Sequence, residues 1–516
     1  MSLNSLDFIF LFLPLAIFLH FLLVKKGLFH LAIVGVIGAS AVFAGWRNLV
    51  DPTLILFSIL INYLVGLAVC SKSSAQTARR KLILIFGLTA NLSLLAFFKY
   101  SKFFLDNINA VMHTANPLVT IYLPLGISFL TLQQIAYLID AYRGHIKEIN
   151  FLEYCVFCSF FPKLSSGPIV RYGELVPQIV RSMRSLSLGV LAEGTTLFAI
   201  GLFKKVVLAD SMAHYADPTF RTASFGRDLG MVEAWGGVLA YTFQLYFDFS
   251  GYTDMAIGIA RMFGITLPEN FNSPYKATNI IEFWKRWHMT LSRFLRDYLY
   301  IPLGGNRKGV LRHHLNLMVT MLLCGLWHGA SWTFVIWGAL HGIYLSINHG
   351  WRRLGVSCSH AIGWILTFIA LSMAWAWFRA DSVPAAGRIT ASLIGLNGLW
   401  ADGFRGALHS LSKPAPEYDY LAQFFVELKV AVSFGRWTIY PVNILLSEPF
   451  IHTYWLLASG VIVLSLSNTR EWLDLANQHP TATLTIRKAI FIGVLLFFVL
   501  LASISSHPSA FIYERF

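Results

Sequence analysis

The sequence predicts an all-α, polytopic membrane bundle. Three observations carry that expectation: long apolar stretches recur from one end of the chain to the other, charge is scarce, and much of the positive charge sits between the apolar stretches. Of the 516 residues, 56% are hydrophobic and only 13% are charged, about half the roughly 25% of an ordinary soluble domain. A bilayer core about 30 Å thick asks for about 20 mostly apolar residues per helix. Stretches of this kind lie at residues 8–23, 28–46, 53–70, 82–98, 117–139, 362–377, 454–466 and 489–504. With the less regular segments between them, roughly 11 to 13 candidate spans can be counted. A soluble fold could not cover that much apolar surface with so few charges. Spanning segments must satisfy their own backbone hydrogen bonds, so helices are the expected form.

Taken in order, residues 1–7 carry no Lys or Arg and no small-residue cleavage site follows, so the first stretch reads as a retained span with the N-terminus outside. The first and third connections then face the cytoplasm and hold Lys25, Lys26, Lys72, Arg79, Arg80 and Lys81. The second and fourth hold only Arg47 and the pair Lys99 and Lys102. This alternation follows the positive-inside rule. After the fifth stretch, Asp140 to Lys147 returns to the inside.

Residues 269–316 are unusual. Lys276, Lys285, Arg286, Arg293, Arg296, Arg307, Lys308 and Arg312 are interleaved there with Phe283, Trp284, Trp287, Phe294, Tyr298 and Tyr300. Basic and aromatic residues mixed over helical lengths suit an interfacial, partly re-entrant layer on the cytoplasmic face. Gly304-Gly305-Asn306 reads as a turn within it. Residues 399–449 are less apolar and read as an extramembrane excursion. No internal repeat and no separate soluble domain is evident, so residues 1–516 form one membrane-embedded domain.

The formal charge of +14 is explained by topology and anionic lipid headgroups, and no nucleic-acid recognition motif accompanies it. Five cysteines lie in or near apolar segments, and Cys155 and Cys158 form a C-x-x-C. That pair reads as a redox site or, more simply, as small buried side chains. No H-E-x-x-H and no familiar Cys/His spacing suggests a metal. A nucleophile elbow, a P-loop and a dinucleotide fingerprint are also missing.

Ionisable groups at membrane depth are costly, so each is a candidate for function. His328 leads, in Leu326-Trp327-His328-Gly329-Ala330-Ser331. A neutral imidazole suits a general base that takes a hydroxyl proton. The small residues around it admit either a substrate or a neighbouring backbone, and a histidine that merely hydrogen-bonds across helices stays open as the other reading. Residues 315–347 are long enough for one long or broken helix, or two short ones. His288, in Arg286-Trp287-His288, is catalytic or headgroup-facing, and His341 either shares the cavity or packs. Asp248 and Asp254, in Gln244–Asp254, either line a polar tunnel or cap and bridge helices. The segments around Pro124-Leu-Gly126 and Phe161-Pro162 to Gly167-Pro168 read as helix breaks, tolerated at depth where backbone lines a cavity.

At these same residues the chain resembles the membrane-bound O-acyltransferase family, in particular its alginate O-acetylation (AlgI-like) branch. The similar parts are Leu123-Pro-Leu-Gly-Ile-Ser-Phe129, residues 244–258, Phe283-Trp-Lys-Arg-Trp-His288, Arg296-Asp-Tyr-Leu-Tyr-Ile-Pro-Leu-Gly-Gly-Asn306 and Gly325-Leu-Trp-His-Gly329. The resemblance implies a central transmembrane tunnel with His328 as the catalytic histidine and His288 as the second polar site residue. It implies no bound cofactor. The acyl thioester donor, acetyl-CoA or an acyl carrier protein, is a substrate presented from the cytoplasmic face. Arg293, Arg296 and Asn306 in the basic layer, with Trp327, Asp248 and Asp254, are the expected tunnel or donor-binding residues. The expected acceptor is a cell-surface polysaccharide hydroxyl or a separate periplasmic acyltransferase partner, and the expected location is the bacterial inner membrane. Transfer of D-alanine, peptidoglycan acylation, a proton-coupled transporter or flippase, and a structural subunit remain as alternatives.

Overall fold

The computed structural model describes all residues except 71–76, 115–120, 184–186, 400–447, 467, 470, 472–485, 506–510 and 513–516. Among the described residues the regular structure is entirely helical. The first helices are α1 (Leu13–Lys25, entered through a π-turn at Phe8–Phe12), α2 (Phe29–Gly45), α3 (Val50–Cys70) and α4 (Thr77–Leu95). A π-turn at Ala96–Tyr100 leads from α4 without interruption into α5 (Ser101–Met112). Next come α6 (Ile127–Tyr142), α7 (Phe151–Ser159), α8 (Phe161–Leu164), α9 (Tyr172–Met183), α10 (Leu188–Phe203), α11 (Asp210–Ser224) and α12 (Met231–Met262). The basic–aromatic layer contains α13 (Ile280–Arg286) and α14 (Met289–Leu295). It is followed by α15 (Val310–His328), α16 (Trp332–Arg353), α17 (His360–Arg379), α18 (Val383–Leu393), α19 (Glu448–Ser465) and α20 (Ile486–Ser505).

Many helix starts are written locally. Asn150, Ser187, Asn279, Ser331, Ser359 and Ser382 each accept a first-turn backbone N–H with the side chain, which satisfies one donor that the helix itself leaves unpaired.

Four helical stretches are long and apolar enough to cross a membrane: Phe8–Lys25, Val50–Cys70, Ala78–Met112 and His360–Arg379. Their outward faces expose large apolar side chains such as Phe18, Leu64, Phe86 and Leu366, as a lipid-facing surface requires. Helices α12, α15 and α16 are long as well; the 32 residues of α12 rise about 48 Å. Their polar side chains face inward, so hydropathy alone passes over them. The chain is a helical membrane protein.

Two boundaries differ from the sequence expectation. The fourth stretch does not end near residue 98; helix continues to Met112, so Lys99 lies inside it and not in a connecting loop. The fifth stretch begins as helix only at Ile127 because Gly126 takes a left-handed backbone (φ 66°). A Cβ there would collide with the Leu164 carbonyl oxygen. The proposed excursion at 399–449 falls almost wholly outside the described residues.

Helices α10 and α12 pack backbone to backbone through glycines. A Cβ on Gly194 would sit 2.6 Å from the Gly258 oxygen, and one on Gly201 would sit 2.5 Å from the Gly251 oxygen. Small residues at such a contact let helices approach where the hydrophobic effect gives little drive. Two buried clusters flank this pair. One gathers Tyr137, Phe157, Phe161 and Phe263, and the other Tyr241, Trp287, Trp337 and Trp375.

Candidate active site

His328 ends α15, and the reason is local. Gly329 follows it in extended backbone, and Ser331 opens α16 by accepting the Thr333 N–H at 3.3 Å. The segment 315–347 is therefore two helices folded back on each other. Gly325 and Gly338 form their contact: a Cβ on Gly325 would collide with the Phe334 carbonyl oxygen and lie 3.2 Å from the Gly338 Cα. The small residues beside His328 thus serve the approach of a helix. The His328 ring is buried and bounded by Trp327, Trp337 and Phe378, with ring centroids at 4.8, 5.2 and 5.3 Å.

The end of α15 leaves carbonyls that the helix cannot pair. Lys99 meets them. Its ammonium donates to the carbonyls of Trp327 (2.6 Å) and His328 (3.1 Å) and to Ser128 Oγ (3.3 Å). Tyr100 donates its hydroxyl to the Leu326 carbonyl at 2.8 Å. A cation at a helix C-terminus also complements the helix dipole. Sequence reasoning assigned Lys99 to a loop and missed this role. The available signal was a lone Lys-Tyr pair in an apolar run that is followed by further helix-forming sequence.

His288 sits between α13 and α14 in the left-handed region (φ 41°), a conformation that costs a non-glycine residue about 1–2 kcal/mol. Such strain persists where the surroundings impose it, often at functional sites. Asn270 Oδ1 accepts from Thr290 N (3.4 Å) and Thr290 Oγ1 (2.6 Å) and lies 3.3 Å from His288 Nδ1. An amide oxygen only accepts, so this network assigns the proton of His288 to Nδ1 and leaves Nε2 as the basic nitrogen. Both histidines reach Trp327, whose ring lies 6.3 Å from that of His288. His341 lies one layer away. Its Nδ1 accepts from Trp284 Nε1 at 3.3 Å, and Trp337 stands between it and His328.

Two cavities lie near this layer, named outer and inner after the orientation expected from the sequence. The outer one, about 410 Å³, is bounded by Asp51, Lys99, Ser128, Ser165, Trp327 and His328. Its walls include both helix breaks, at residues 122–129 and 165–166. The inner one, about 980 Å³, is walled by Trp284, Met289, Arg293, Arg296, Asn306 and Met321, among others. Met289 adjoins His288 in the chain, and Met321 precedes His328 by about 10 Å of helix rise.

Charge differs between the ends. Lys285, Arg293, Arg296, Arg307 and Lys308 line the inner cavity, and among the described residues no carboxylate does. Behind that lining Arg293 clamps Glu174 through two bonds of 2.7 and 2.9 Å, and Asp297 bridges Arg296 and Arg171. Burial alone would raise the Asp297 carboxyl, but these two guanidinium groups hold it below its ordinary value. Gly304 and Gly305 adopt positive φ in the turn that carries Asn306.

Asp248 and Asp254 are on α12 but line neither large cavity. Asp248 is buried against Lys205 at 2.6 Å and accepts the Ile512 N–H at 2.9 Å; Lys205 also reaches Asp210 at 2.8 Å. Asp254 pairs with Lys204 at 2.7 Å and borders a small cavity of about 50 Å³ that also touches Asn270. The cysteine pair is buried as free thiols.

The profile of the membrane-bound O-acyltransferase family (MBOAT) matches residues 54–371, which contain both histidines and the whole described lining of the inner cavity. A "Peptidoglycan O-acetyltransferase" of Helicobacter pylori is 44% identical over 448 residues, covering 80% of this chain and 82% of the relative. A "Probable alginate O-acetylase AlgI" of Azotobacter vinelandii is 42% identical over 400 residues, covering 76% of this chain and 78% of the relative. A "Teichoic acid D-alanyltransferase" of Streptococcus thermophilus is 31% identical over 239 residues, covering 44% and 57%. The chain belongs to the membrane-bound O-acyltransferase family and is an O-acyltransferase.

Proposed function

We propose that the protein is an O-acetyltransferase of the bacterial inner membrane. It moves an acetyl group from a cytoplasmic thioester donor to a hydroxyl of a periplasmic or extracellular polysaccharide, with peptidoglycan and exopolysaccharide as the acceptor classes. The observation that supports this reading is a pair of cavities beside the histidine and tryptophan layer, one lined by His328 and Trp327 and the other, next to Met289 and Trp284, lined with cations and, among the described residues, no carboxylate. Acetyl is favoured because the relatives that align with most of this chain are named for O-acetyl transfer, whereas the D-alanyl relative aligns with less than half of it.

Acetyl-CoA or an acyl carrier protein docks its anionic groups against Arg307, Lys308, Arg293 and Arg296. Its thioester extends toward the histidine layer. The acceptor hydroxyl enters through the outer cavity, either on the polysaccharide or on a periplasmic partner that finishes the transfer. His328 takes the hydroxyl proton as the oxygen attacks the carbonyl carbon. The new C–O bond forms, the C–S bond breaks, and the imidazolium returns its proton to the departing thiolate. His288, held by Asn270 with Nε2 basic, stabilises or orders the reacting groups. Trp327, between the two rings, confines them in a water-poor space where such effects are large. Neither the tail contact at Asp248 nor the Asp254–Lys204 pair takes a chemical role in this scheme; both hold α12 in position.

The test compares cells carrying native protein with cells carrying His328→Ala at equal membrane abundance. The O-acetyl ester content of peptidoglycan and of exported polysaccharide is measured. Loss of ester with polymer still exported supports acyl transfer through His328. Unchanged ester overturns the assignment of His328, and loss of polymer with unchanged esterification points to transport.

A further inference from the structure

A third cavity lies away from the histidines, and nothing in the acyl transfer scheme uses it. It holds about 400 Å³ between the C-terminal end of α16 and the N-terminal end of α17, at the same end of the bundle as the basic layer. One end is polar and basic, with Arg352, His360 and Asn348. Farther along α17 the lining turns apolar at Leu366 and Ala370, and Ile347 and Leu366 are 61% and 60% exposed on the outer surface of the bundle, where acyl chains lie. Among the described residues no carboxylate lines it.

Two further features narrow the occupant. The first turn of α17, a 20-residue helix whose Ser359 cap accepts the Ile362 N–H at 3.3 Å, points its N-terminal dipole at the polar end, which favours an anion. The Asn348 side-chain oxygen is buried and has no hydrogen-bond partner among the described residues. A buried acceptor left unpaired costs about 1–3 kcal/mol, so a ligand that brings a donor is favoured. An anion with hydroxyls on its headgroup and apolar tails answers all of these demands at once.

We propose that this cavity is a binding site for an anionic phospholipid with a hydroxyl-bearing headgroup, of the phosphatidylglycerol type, and that its occupancy steadies the helix leading to His288. The linkage is physical. Arg352 Nη2 donates to Asn279 Oδ1 at 3.1 Å, and that same oxygen caps α13 by accepting the Glu282 N–H at 3.0 Å. Helix α17 presses on this turn, since a Cβ on Gly363 would lie 2.7 Å from the Thr278 carbonyl oxygen. Helix α13 in turn presents Trp284 to His341 and ends one residue before Trp287-His288. A phosphate that draws on Arg352 therefore acts on the cap of α13.

The test uses the full chain in nanodiscs of phosphatidylcholine alone or of phosphatidylcholine doped with phosphatidylglycerol. Lipid retained by the released protein is identified by native mass spectrometry, and the unfolding midpoint is recorded in each disc. The wild type is expected to retain phosphatidylglycerol selectively and to unfold at higher temperature when it is present. Arg352→Gln removes a charged donor and is expected to weaken retention about tenfold. Leu366→Trp fills the apolar end without touching a charge and is expected to abolish both retention and the thermal gain. If Arg352→Gln fails to fold, Leu366→Trp still decides the matter. Equal retention of both lipids by the wild type, or unaltered selective retention in a folded Leu366→Trp protein, overturns the site.

Discussion

The outer cavity is walled by broken helices and carries charges of both signs, with Arg47, Lys99 and Asp51 around serine hydroxyls. The inner cavity is more than twice as large, and its charged lining is cationic throughout. The outer cavity is lined by Trp327 and His328, and the inner one by Trp284 and by Met289, the neighbour of His288. An opening of mixed polarity suits a neutral, hydroxyl-rich acceptor that must be handled by hydrogen bonds. A cationic basin suits a donor that carries phosphates or acidic side chains and is drawn in by its field. Under the proposed function, the difference teaches that electrostatics would sort the two substrates of one reaction before they meet the same imidazoles.

The sharpest way to break that comparison is at the shared layer. His328→Ala is expected to lower acyl transfer about 10²- to 10⁴-fold while donor binding, measured by titration with a non-transferable thioester analogue, stays within twofold (about 0.4 kcal/mol). Lys99→Met attacks the outer side alone. It leaves the carbonyls of Trp327 and His328 without their ammonium partner, a loss of about 1–3 kcal/mol. A lower unfolding midpoint and reduced kcat are expected, with KM for the donor unchanged. Charge reversal at Arg307 and Lys308 attacks the inner side alone. KM for the donor is expected to rise about tenfold, and the rise should shrink in high salt as screening removes the native attraction. Asn270→Ala frees the tautomer of His288 without removing the ring; kcat is expected to fall about tenfold, and Asn270→Asp, which keeps an acceptor facing Nδ1, should recover part of it. The smallest effect belongs to the Asp297 bridge. Its carboxyl is held low when folded, so its contribution is complete above the ordinary carboxylate range and disappears as pH falls through the depressed value. Asp297→Asn is expected to lower the unfolding midpoint modestly at neutral pH, to flatten the acid limb of thermal stability, and to change little once pH lies below the depressed value.

The dense motifs were readable because each joins costly groups to an apolar setting. His328 stands between Gly325 and Gly329 in a stretch otherwise fit for a membrane, and His288 stands inside a run of aromatic and basic residues. The chain breaks at Gly126 and Phe161–Pro168 were also readable from Gly and Pro, and they do border a cavity. Lys99 was not readable. A lysine near the end of an apolar run looks like a topogenic charge, and only the π-turn at Ala96–Tyr100 with its continuation into α5 turns it onto α15. Nor could spacing distinguish substrate access from helix packing at Gly325; the carbonyl of Phe334, from the next helix, decides it.

By itself the sequence determined the solvent of this protein and the kind of its elements, because transfer free energies and helix caps are local or additive properties of residues. It also raised His328 as a candidate, because an ionisable group at membrane depth is expensive wherever the helix sits, whereas His288 came forward through the family resemblance. Only the tertiary structure decided partners: that Asp248 pairs with Lys205 and receives the backbone of Ile512, that Asn270 fixes the tautomer of His288, and that Arg352 reaches the cap of α13. Those contacts join residues up to 264 positions apart, and their geometry follows from how close the glycine-lined helices can approach.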